Sequence, residues 1–177
     1  MSASSVAKEL KKLDREQLAD LLMQMHKRSK DAKAILEYFA EPDEEKLLKA
    51  AADQMQEAFF PTRGWRVKLR KGKECIAQAK MMGATTETQI EIMLLYVGTG
   101  LERDRKSGYP GKAFYSSIVS VYKQALALAE KEYMGKIFAA RFAAAIALAH
   151  SINSPVEVEM QELLLATHDR AGSGEED

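Results

Sequence analysis

Apolar residues recur every three or four positions along most of the chain, a spacing that places them on one face of an α-helix. The first strong start signal is Asp14, which can cap a helix while Gln17 reaches back to it. The apolar stripe that follows predicts either one long helix over residues 15–40 or two helices joined near Ser29 to Asp31. Composition alone does not decide between the two.

Proline and glycine mark the predicted helix boundaries in the middle of the chain. A helix is predicted to begin after Pro42 and to stop at Pro61. A short helix that carries Cys75 is predicted to end at Gly83. Between these two helices lies a basic stretch without helical spacing.

The next helix, capped by Thr85 or Thr86 and ended by Gly108, differs from the others in its pattern. Over Ile90–Leu101, apolar side chains lie on nearly every face instead of on one stripe. Such a helix is typical of a buried central element. We therefore expect Ile90–Leu101 to be the most buried helix of the fold.

Proline also marks two later helix starts. Pro110 suits the first turn of a helix, and Ser154-Pro155-Val156-Glu157 combines a capping box with proline at the first helical position. Between them, the apolar spacing over residues 137–152 predicts another helix. The pattern contains no convincing pair of strands.

The pattern as a whole predicts an all-α fold, a single compact domain of seven or eight helices over residues 1–170. Short connections favour antiparallel helical hairpins, arranged as a bundle or as a short α-α superhelix. Residues 171–177 are polar and are expected to form a disordered tail. The length of 177 residues suits one domain.

Composition adds limits on the partners. The chain is 46% hydrophobic and 29% charged, and its 26 basic and 26 acidic residues balance, so no global field favours nucleic acid or an anionic membrane. The first residues lack the apolar run of a secretory signal, and the longest apolar stretch, residues 138–149, is too short to span a bilayer. We expect a cytoplasmic protein without membrane association.

Part of the sequence resembles a known family. The opening VAKELKKLDREQLADLLMQMHKRSK, the segment EPDEEKLLKAAADQMQEAFFP and the stretch FFPTRGWRVKLRKGKECIAQAK are similar to an uncharacterised bacterial family described only as a domain of unknown function. The shared traits are a Lys-Glu-Leu-Lys start, a Glu-Glu-Lys-Leu-Leu helix and a Phe-Phe-Pro ending before a basic link. They cover roughly the first half of the chain. The resemblance implies a compact helical domain and nothing catalytic.

Candidate catalytic and metal-binding residues are few. His26, His150 and His168 lie in three different helices, without the spacing of a zinc or di-iron ligand set, so we expect no metal site and no cofactor. Cys75 is the only cysteine, which excludes an internal disulfide. Its place on the apolar side of a helix favours a small buried hydrophobe over a nucleophile.

Two other runs have structural interpretations. Gly98-Thr99-Gly100 lacks the third glycine of a dinucleotide loop, and we expect it to let another helix approach closely or to kink its own. Glu102–Lys106 is a charge run at a helix end, interpreted as a solvated face in which Glu102 pairs with Lys106. Neither run indicates an enzyme.

The largest local charge asymmetry is the stretch GWRVKLRKGK. Six candidate anion-binding residues lie in and just before it: Arg63, Arg66, Lys68, Arg70, Lys71 and Lys73. The helix expected to start near Gly72 adds backbone N–H groups, which favour anions. The stretch is either such a site or a solvated connector whose charges prevent pairing with other chains.

The alternation of apolar and basic residues in this stretch predicts which side chains are buried, because an extended chain sends successive side chains to opposite sides. The side chains expected to be mostly buried are Trp65, Val67 and Leu69. Those expected to be exposed are Arg66, Lys68 and Arg70. No aromatic ring then stands on the basic side, so a nucleic-acid interface is not favoured.

With no catalytic or metal motif, the sequence favours a non-catalytic helical protein-interaction or scaffold module with an unidentified protein partner. The alternative is a regulatory module that binds an acidic ligand (nucleic acid, phosphate or an acidic protein surface) through the basic link, residues 63–73. An enzyme ranks third. The oligomeric state stays open.

Overall fold

The computed structural model describes residues 2–108 and 110–172, with side chains through Thr167, and in this part of the chain it has nine α-helices and no strand. The helices are α1 (Ala3–Leu10), α2 (Arg15–Arg28), α3 (Lys30–Ala40), α4 (Glu44–Phe59), α5 (Leu69–Met82), α6 (Thr86–Ser107), α7 (Lys112–Lys131), α8 (Gly135–Ser151) and α9 (Glu157–Gly172). The all-α class is confirmed. The number of helices exceeds the predicted seven or eight because the polar opening forms α1. Residues 15–40 form two helices, which is one of the two predicted alternatives.

The chain divides into two compact units, Met1–Asp43 (unit 1) and Glu44–Asp177 (unit 2). This division does not test the predicted single domain over residues 1–170, which stays a prediction. Helix α9 ends at Gly172. Residues 173–177, the rest of the tail predicted to be disordered, lie outside the described residues.

Local capping signals define the helices of unit 1. The Asp14 carboxylate accepts a hydrogen bond from the Gln17 N–H at 2.8 Å, and Gln17 Oε1 accepts one from the Asp14 N–H at 3.1 Å, so the predicted capping box is present. Ser29 ends α2 and caps α3 with its hydroxyl. Helices α2 and α3 pack together, with His26 Nε2 lying 3.5 Å from a Glu37 carboxylate oxygen.

Helix α6 is the centre of unit 2. The Thr85 hydroxyl caps it by accepting the Thr88 N–H at 3.2 Å. The helix packs against α4, α5, α7 and α8, and no residue from 88 to 104 is exposed. This burial on all sides confirms the expectation for Ile90–Leu101, and its cause is an apolar surface that extends around the helix.

An aromatic cluster joins α4 to α6 and α7. Phe59 is fully buried, and its ring meets the rings of Tyr96 and Phe114 edge-on, with centroids 5.0 and 6.1 Å away. The Tyr96 hydroxyl shares a 2.7 Å hydrogen bond with Ser117. The end of α4, from which the basic link leaves, is therefore held firmly in the core.

Two glycines allow the helices to approach α6 closely. A Cβ at Gly72 in α5 would lie 2.7 Å from the Tyr96 ring, and one at Gly100 in α6 would collide with Ile118. Gly100 therefore has the close-approach role expected for the Gly-Thr-Gly run. A Cβ at Gly98 would meet nothing within 4 Å.

A buried carboxylate corrects two expectations about helix ends. Asp104, inside the run predicted to be a solvated face, is buried and accepts hydrogen bonds from the Tyr115 and Ser154 hydroxyls, each at 2.8 Å. The Ser154 hydroxyl is thus directed to Asp104, and the Glu157 carboxylate pairs with His150 at 2.8 Å. These partners replace the predicted capping box. Helix α9 begins at Glu157, two residues after the start predicted at Pro155.

Helix α8 contains the longest apolar stretch of the chain. Its buried face carries Phe138, Phe142, Ile146 and Ala149. Among the described helices, none combines the length and apolar character needed to cross a membrane.

Candidate functional site

The basic link, residues 63–73, includes part of the connection after α4, which ends at Phe59, and the first residues of α5, which begins at Leu69. The connection is fixed just before α5 by a 2.9 Å hydrogen bond from the Lys68 N–H to the Ala58 carbonyl. Helix α5 starts earlier than expected, so Gly72 lies within its first turn rather than before it. Half of the predicted basic residues therefore belong to a helix, and the stretch is not extended throughout.

The burial expected for Trp65 is wrong. Its side chain is 83% exposed, while Val67 and Leu69 are half-buried. Gly64 turns the chain just before Trp65 with a φ of 81°, a left-handed conformation that glycine adopts without strain. The alternation rule fails here because it applies only to a continuously extended chain.

Although its side chain is exposed, Trp65 is anchored through its backbone. Arg103 Nη2, from α6, donates a 2.9 Å hydrogen bond to the Trp65 carbonyl. The Arg103 guanidinium carbon lies 5.7 Å from the centre of the Phe60 ring, and Lys106 Nζ lies 4.8 Å from the same centre. The end of α6 thus brings two further cations to the basic link.

Sequence reasoning missed Arg103 and Lys106, since it assigned both to a self-paired face. In the structure Glu102 pairs with Arg105 at 2.5 Å, and Lys106 packs over Phe60 instead. The sequence carries no signal for this arrangement, because Arg103 and its hydrogen-bond partner are 38 residues apart.

The six candidate anion-binding residues do not form one cluster of free cations. Lys68 Nζ lies 3.8 Å from a Glu57 oxygen, and Arg70 Nε lies 3.1 Å from Glu74. Among the described residues, the other four have no ion pair: Arg63, Arg66, Lys71 and Lys73. Lys71 is half-buried, and the rest are exposed.

We use the name Trp65 surface for Trp65 together with Arg63, Arg66, Arg103 and Lys106. Arginine donates two parallel hydrogen bonds to a carboxylate or a phosphate, and the indole offers a flat apolar face beside these donors. Arg103 Nε is buried and has no hydrogen-bond partner among the described residues. The surface is chemically suited to an anionic group that stands next to an apolar one.

The other candidate residues have structural roles. Cys75 is buried, its thiol donates to Gln54 Oε1 at 3.4 Å, and burial raises the pKa of the thiol, so the interpretation as a buried hydrophobe is confirmed. His26 and His150 are each paired with a glutamate. The described part of the chain contains no group of three or more His, Cys, Asp or Glu residues positioned to hold a metal ion.

A cleft of about 470 Å³ lies between α7 and α9. On the α7 side it is lined by Lys112, Ser116 and Lys123, and on the other side by Glu159. None of the six candidate anion-binding residues lines it. The Trp65 surface is thus separate from this cleft.

One protein-family model matches residues 1–161, and it is described as a family of unknown function (DUF6155). The match extends well beyond the first half of the chain, to which the sequence resemblance was confined. No curated protein and no solved structure shows a significant match.

Proposed function

The chain belongs to this family of unknown function, and from its own surface we propose that it is a non-catalytic protein-interaction module of the cytoplasm. The contact region is the Trp65 surface, and the partner is an acidic surface of another protein. The observation that supports this proposal is the contrast at Trp65, whose side chain is 83% exposed while its carbonyl is held by Arg103 at 2.9 Å.

An exposed and anchored indole favours binding on energetic grounds. Leaving a large apolar side chain in water forgoes the stabilisation of burial, which is about 1.5–3 kcal/mol even for a smaller aliphatic side chain. Tryptophan and arginine are the residues most enriched among those that dominate binding energy at protein interfaces. Because Arg103 already fixes the backbone of the link, less conformational entropy is lost when a partner covers Trp65.

Charge favours an acidic partner. Arg63 and Arg66 flank the indole in sequence, are exposed, and have no ion pair among the described residues. Acidic groups opposite such cations increase the association rate and reject basic surfaces, and both effects weaken as salt rises. The groups of the Trp65 surface are cations and an indole, which bind anions without acting as a base or nucleophile at neutral pH. The module is therefore proposed as non-catalytic.

A second candidate is binding to single-stranded nucleic acid, and the position of Trp65 favours it. Bases stack on exposed aromatic rings while neighbouring cations contact the phosphates. The Trp65 side chain is exposed, as are those of Arg63 and Arg66, whereas the sequence pattern placed Trp65 on the buried apolar side. The candidate ranks second because one ring and a few cations supply few base and phosphate contacts.

Intrinsic fluorescence separates the two candidates, because Trp65 is the only tryptophan of the chain. We expect an acidic polypeptide such as poly-glutamate to change the emission at low salt, and the change to disappear as salt is raised. If an oligodeoxythymidylate changes the emission at lower concentration than the polypeptide does, nucleic acid becomes the better assignment. If neither ligand has an effect at low salt, the Trp65 surface is not an anion-binding site.

Capture from nuclease-treated cell extract then tests the protein partner. A protein retained by the parent chain should be lost with Trp65→Ala and with the double change Arg63→Glu and Arg66→Glu. Tyr133→Ala is the matched control, since it removes another exposed aromatic side chain of unit 2. Retention that survives both changes at the Trp65 surface contradicts the proposal.

A further inference from the structure

The cleft between α7 and α9 has a buried floor and an exposed rim. Tyr115 and Val119 of α7 form the floor, with 8% and 6% of their surfaces exposed. Its volume of about 470 Å³ lies within the range of small-molecule sites, roughly 300–1,000 Å³. The exposed residues of the rim are Lys112, Ser116, Ser120, Lys123, Pro155 and Glu159.

The buried Asp104 carboxylate holds both sides of this cleft in place. It accepts a hydrogen bond from the hydroxyl of Tyr115, in the floor, and one from the hydroxyl of Ser154, next to Pro155, each at 2.8 Å. Both sides are thereby tied to α6. Because the cleft is fixed before a ligand arrives, less conformational entropy is lost on binding.

Two lysines make the cleft positive. Lys112 and Lys123 are exposed, and neither has an ion pair among the described residues. Of the described residues that line the cleft, Glu159 of α9 is the one acid. The excess of cations favours an anionic ligand.

The start of α7 is the better end of the cleft for an anionic group. Lys112 is the first residue of α7, whose first turn has no acidic residue and no side-chain cap. The positive end of the helix dipole therefore adds to the charge of Lys112. By contrast, Glu157 and Glu159 already occupy the first turn of α9.

Hydroxyl groups provide further donors beside the lysines. Ser116 and Ser120 lie one turn apart on α7, and both line the cleft. The Ser120 oxygen accepts a 3.2 Å hydrogen bond from Gln124 Nε2, which leaves the hydroxyl proton of Ser120 to donate to a ligand. The Glu159 carboxylate can only accept hydrogen bonds. The cleft is thus suited to a molecule that carries an anionic group and hydroxyl groups.

We propose that this cleft binds a small organic phosphate, a phosphate monoester that carries hydroxyl groups. The phosphate lies at the start of α7, against Lys112 and Ser116. It has close to two negative charges and three acceptor oxygens, so it uses these donors more fully than a carboxylate does. The hydroxyl groups of the ligand donate to Glu159, and its carbon atoms pack on the floor.

Lys123 lies three turns further along α7 than Lys112, about 16 Å at 1.5 Å per residue. It therefore contacts the end of the ligand that is remote from the phosphate. This site is separate from the Trp65 surface and does not depend on the function proposed for that surface.

Isothermal titration calorimetry at low salt tests the ligand class. We expect glucose 6-phosphate to bind, inorganic phosphate to bind about tenfold more weakly because it lacks the hydroxyl contacts, and glucose to show no binding. Gluconate is the matched carboxylate. Absence of glucose 6-phosphate binding would overturn the proposal, and so would gluconate binding of equal strength.

Exchange of single lysines tests the place of the phosphate. Lys112→Gln should weaken the binding of both phosphates by about tenfold, because a charge-assisted contact is lost. Lys123→Gln should weaken glucose 6-phosphate more than inorganic phosphate, since it acts at the remote end. The matched control is Lys136→Gln, an exposed lysine in the first turn of α8, which should leave both affinities unchanged.

The Trp65 surface supplies a second control. The double change Arg63→Glu and Arg66→Glu should leave glucose 6-phosphate binding unchanged. If this change abolishes binding while Lys112→Gln has no effect, the phosphate binds at the Trp65 surface and the assignment to the cleft is wrong.

Glu159→Gln tests the hydroxyl contacts through a difference between the two ligands. It removes the repulsion of the carboxylate from inorganic phosphate, so inorganic phosphate should bind more tightly. Glucose 6-phosphate also loses the acceptor of its hydroxyl groups, so the difference between the two affinities should narrow. Far-UV circular dichroism checks that each variant keeps its helices. Equal strengthening of both ligands would show that Glu159 makes no contact with the hydroxyl groups, and would contradict the proposed ligand.

Discussion

Helices α2 and α6 both begin with a side-chain cap, but they differ in burial: α6 lies in the core of unit 2, whereas α2 is largely exposed. Each has a side-chain cap, Asp14 for α2 and Thr85 for α6. Yet α6 has no exposed residue from 88 to 104, whereas α2 has no buried residue at all. The difference lies in how far apolar residues extend around each helix, since α2 carries a stripe and α6 an apolar surface on nearly every face.

The comparison separates two sources of helical structure. Caps and spacing act within a few residues of each other and determine where a helix starts. Packing requires surfaces from elsewhere in the chain, and most helical stability in proteins comes from it. In unit 2 these surfaces surround α6. In α2, by contrast, Leu22 and Met25 of the apolar stripe are 45% and 49% exposed.

Matched phenylalanine truncations should separate the two regions most strongly. Phe59 is fully buried in unit 2, and Phe39 is 81% exposed in unit 1. We expect Phe59→Ala to lower the free energy of unfolding by about 3–5 kcal/mol, through lost burial and the cavity left behind. Phe39→Ala should change it by about 0.5 kcal/mol or less. Urea unfolding monitored by circular dichroism measures both.

Two outcomes would contradict the predicted difference between Phe59→Ala and Phe39→Ala. If Phe39→Ala costs as much as Phe59→Ala, the exposed phenylalanine packs in solution and the two regions are alike. A small effect of Phe59→Ala would instead show that the aromatic cluster with Tyr96 and Phe114 repacks without loss.

Alkaline pH should destabilise the core of unit 2. Burial raises the pKa of Cys75, of Tyr96 and of Tyr122 above their ordinary values. The unfolded chain releases these protons near the usual pKa values of about 8.5 for cysteine and 10 for tyrosine, while the folded chain keeps them. The folded state then binds more protons, so the contribution of these three groups to stability is constant below about pH 8.5 and falls as pH rises above it.

Free energies of unfolding measured between pH 7 and pH 11 test this decline. Tyr122→Phe should make it less steep, since it removes a buried phenol whose hydroxyl makes only a 3.4 Å hydrogen bond to the Phe142 carbonyl. Tyr133→Phe, at an exposed position, should leave the slope unchanged. A free energy that stays constant up to pH 11 would contradict the argument.

Much of the fold could be predicted because its signals are local. The Asp14 capping box, the Thr85 cap and the all-round apolar pattern of α6 each involve neighbours in sequence. The sequence could not show that the Ser154 hydroxyl is directed to Asp104, 50 residues away, since a capping box and a buried hydrogen bond use the same side chain. The opening of the chain has a polar and helical pattern, but it was not counted as a helix of the fold, and α1 buries none of its residues.

The candidate site was predicted less well. The sequence located a basic link and its exposed cations, because a charge run is visible as such. It predicted that Trp65 is buried, and this is wrong because alternation of side chains requires a continuously extended chain. The turn at Gly64 and the start of α5 at Leu69 interrupt the extended conformation. The contribution of Arg103 depends on the tertiary packing of α6 beside the link, and no pattern within either segment encodes it.

Trp65→Ala should change the stability very little, and it tests directly whether the indole of the basic link is exposed in solution. The sequence pattern predicted destabilisation, but an indole that is 83% exposed contributes little burial. The hydrogen bond from Arg103 is to the backbone carbonyl and is kept in the variant. We therefore expect the free energy of unfolding to change by about 0.5 kcal/mol or less.

Arg103→Ala is the informative companion to this variant, because it removes the anchor and keeps the indole. It should lower the free energy of unfolding by about 1 kcal/mol, through the lost hydrogen bond and the lost packing on Phe60. Urea unfolding of both variants gives the comparison directly. If Trp65→Ala proves the more destabilising of the two, the indole is buried in solution, and the link resembles the core of unit 2 instead of an exposed binding surface.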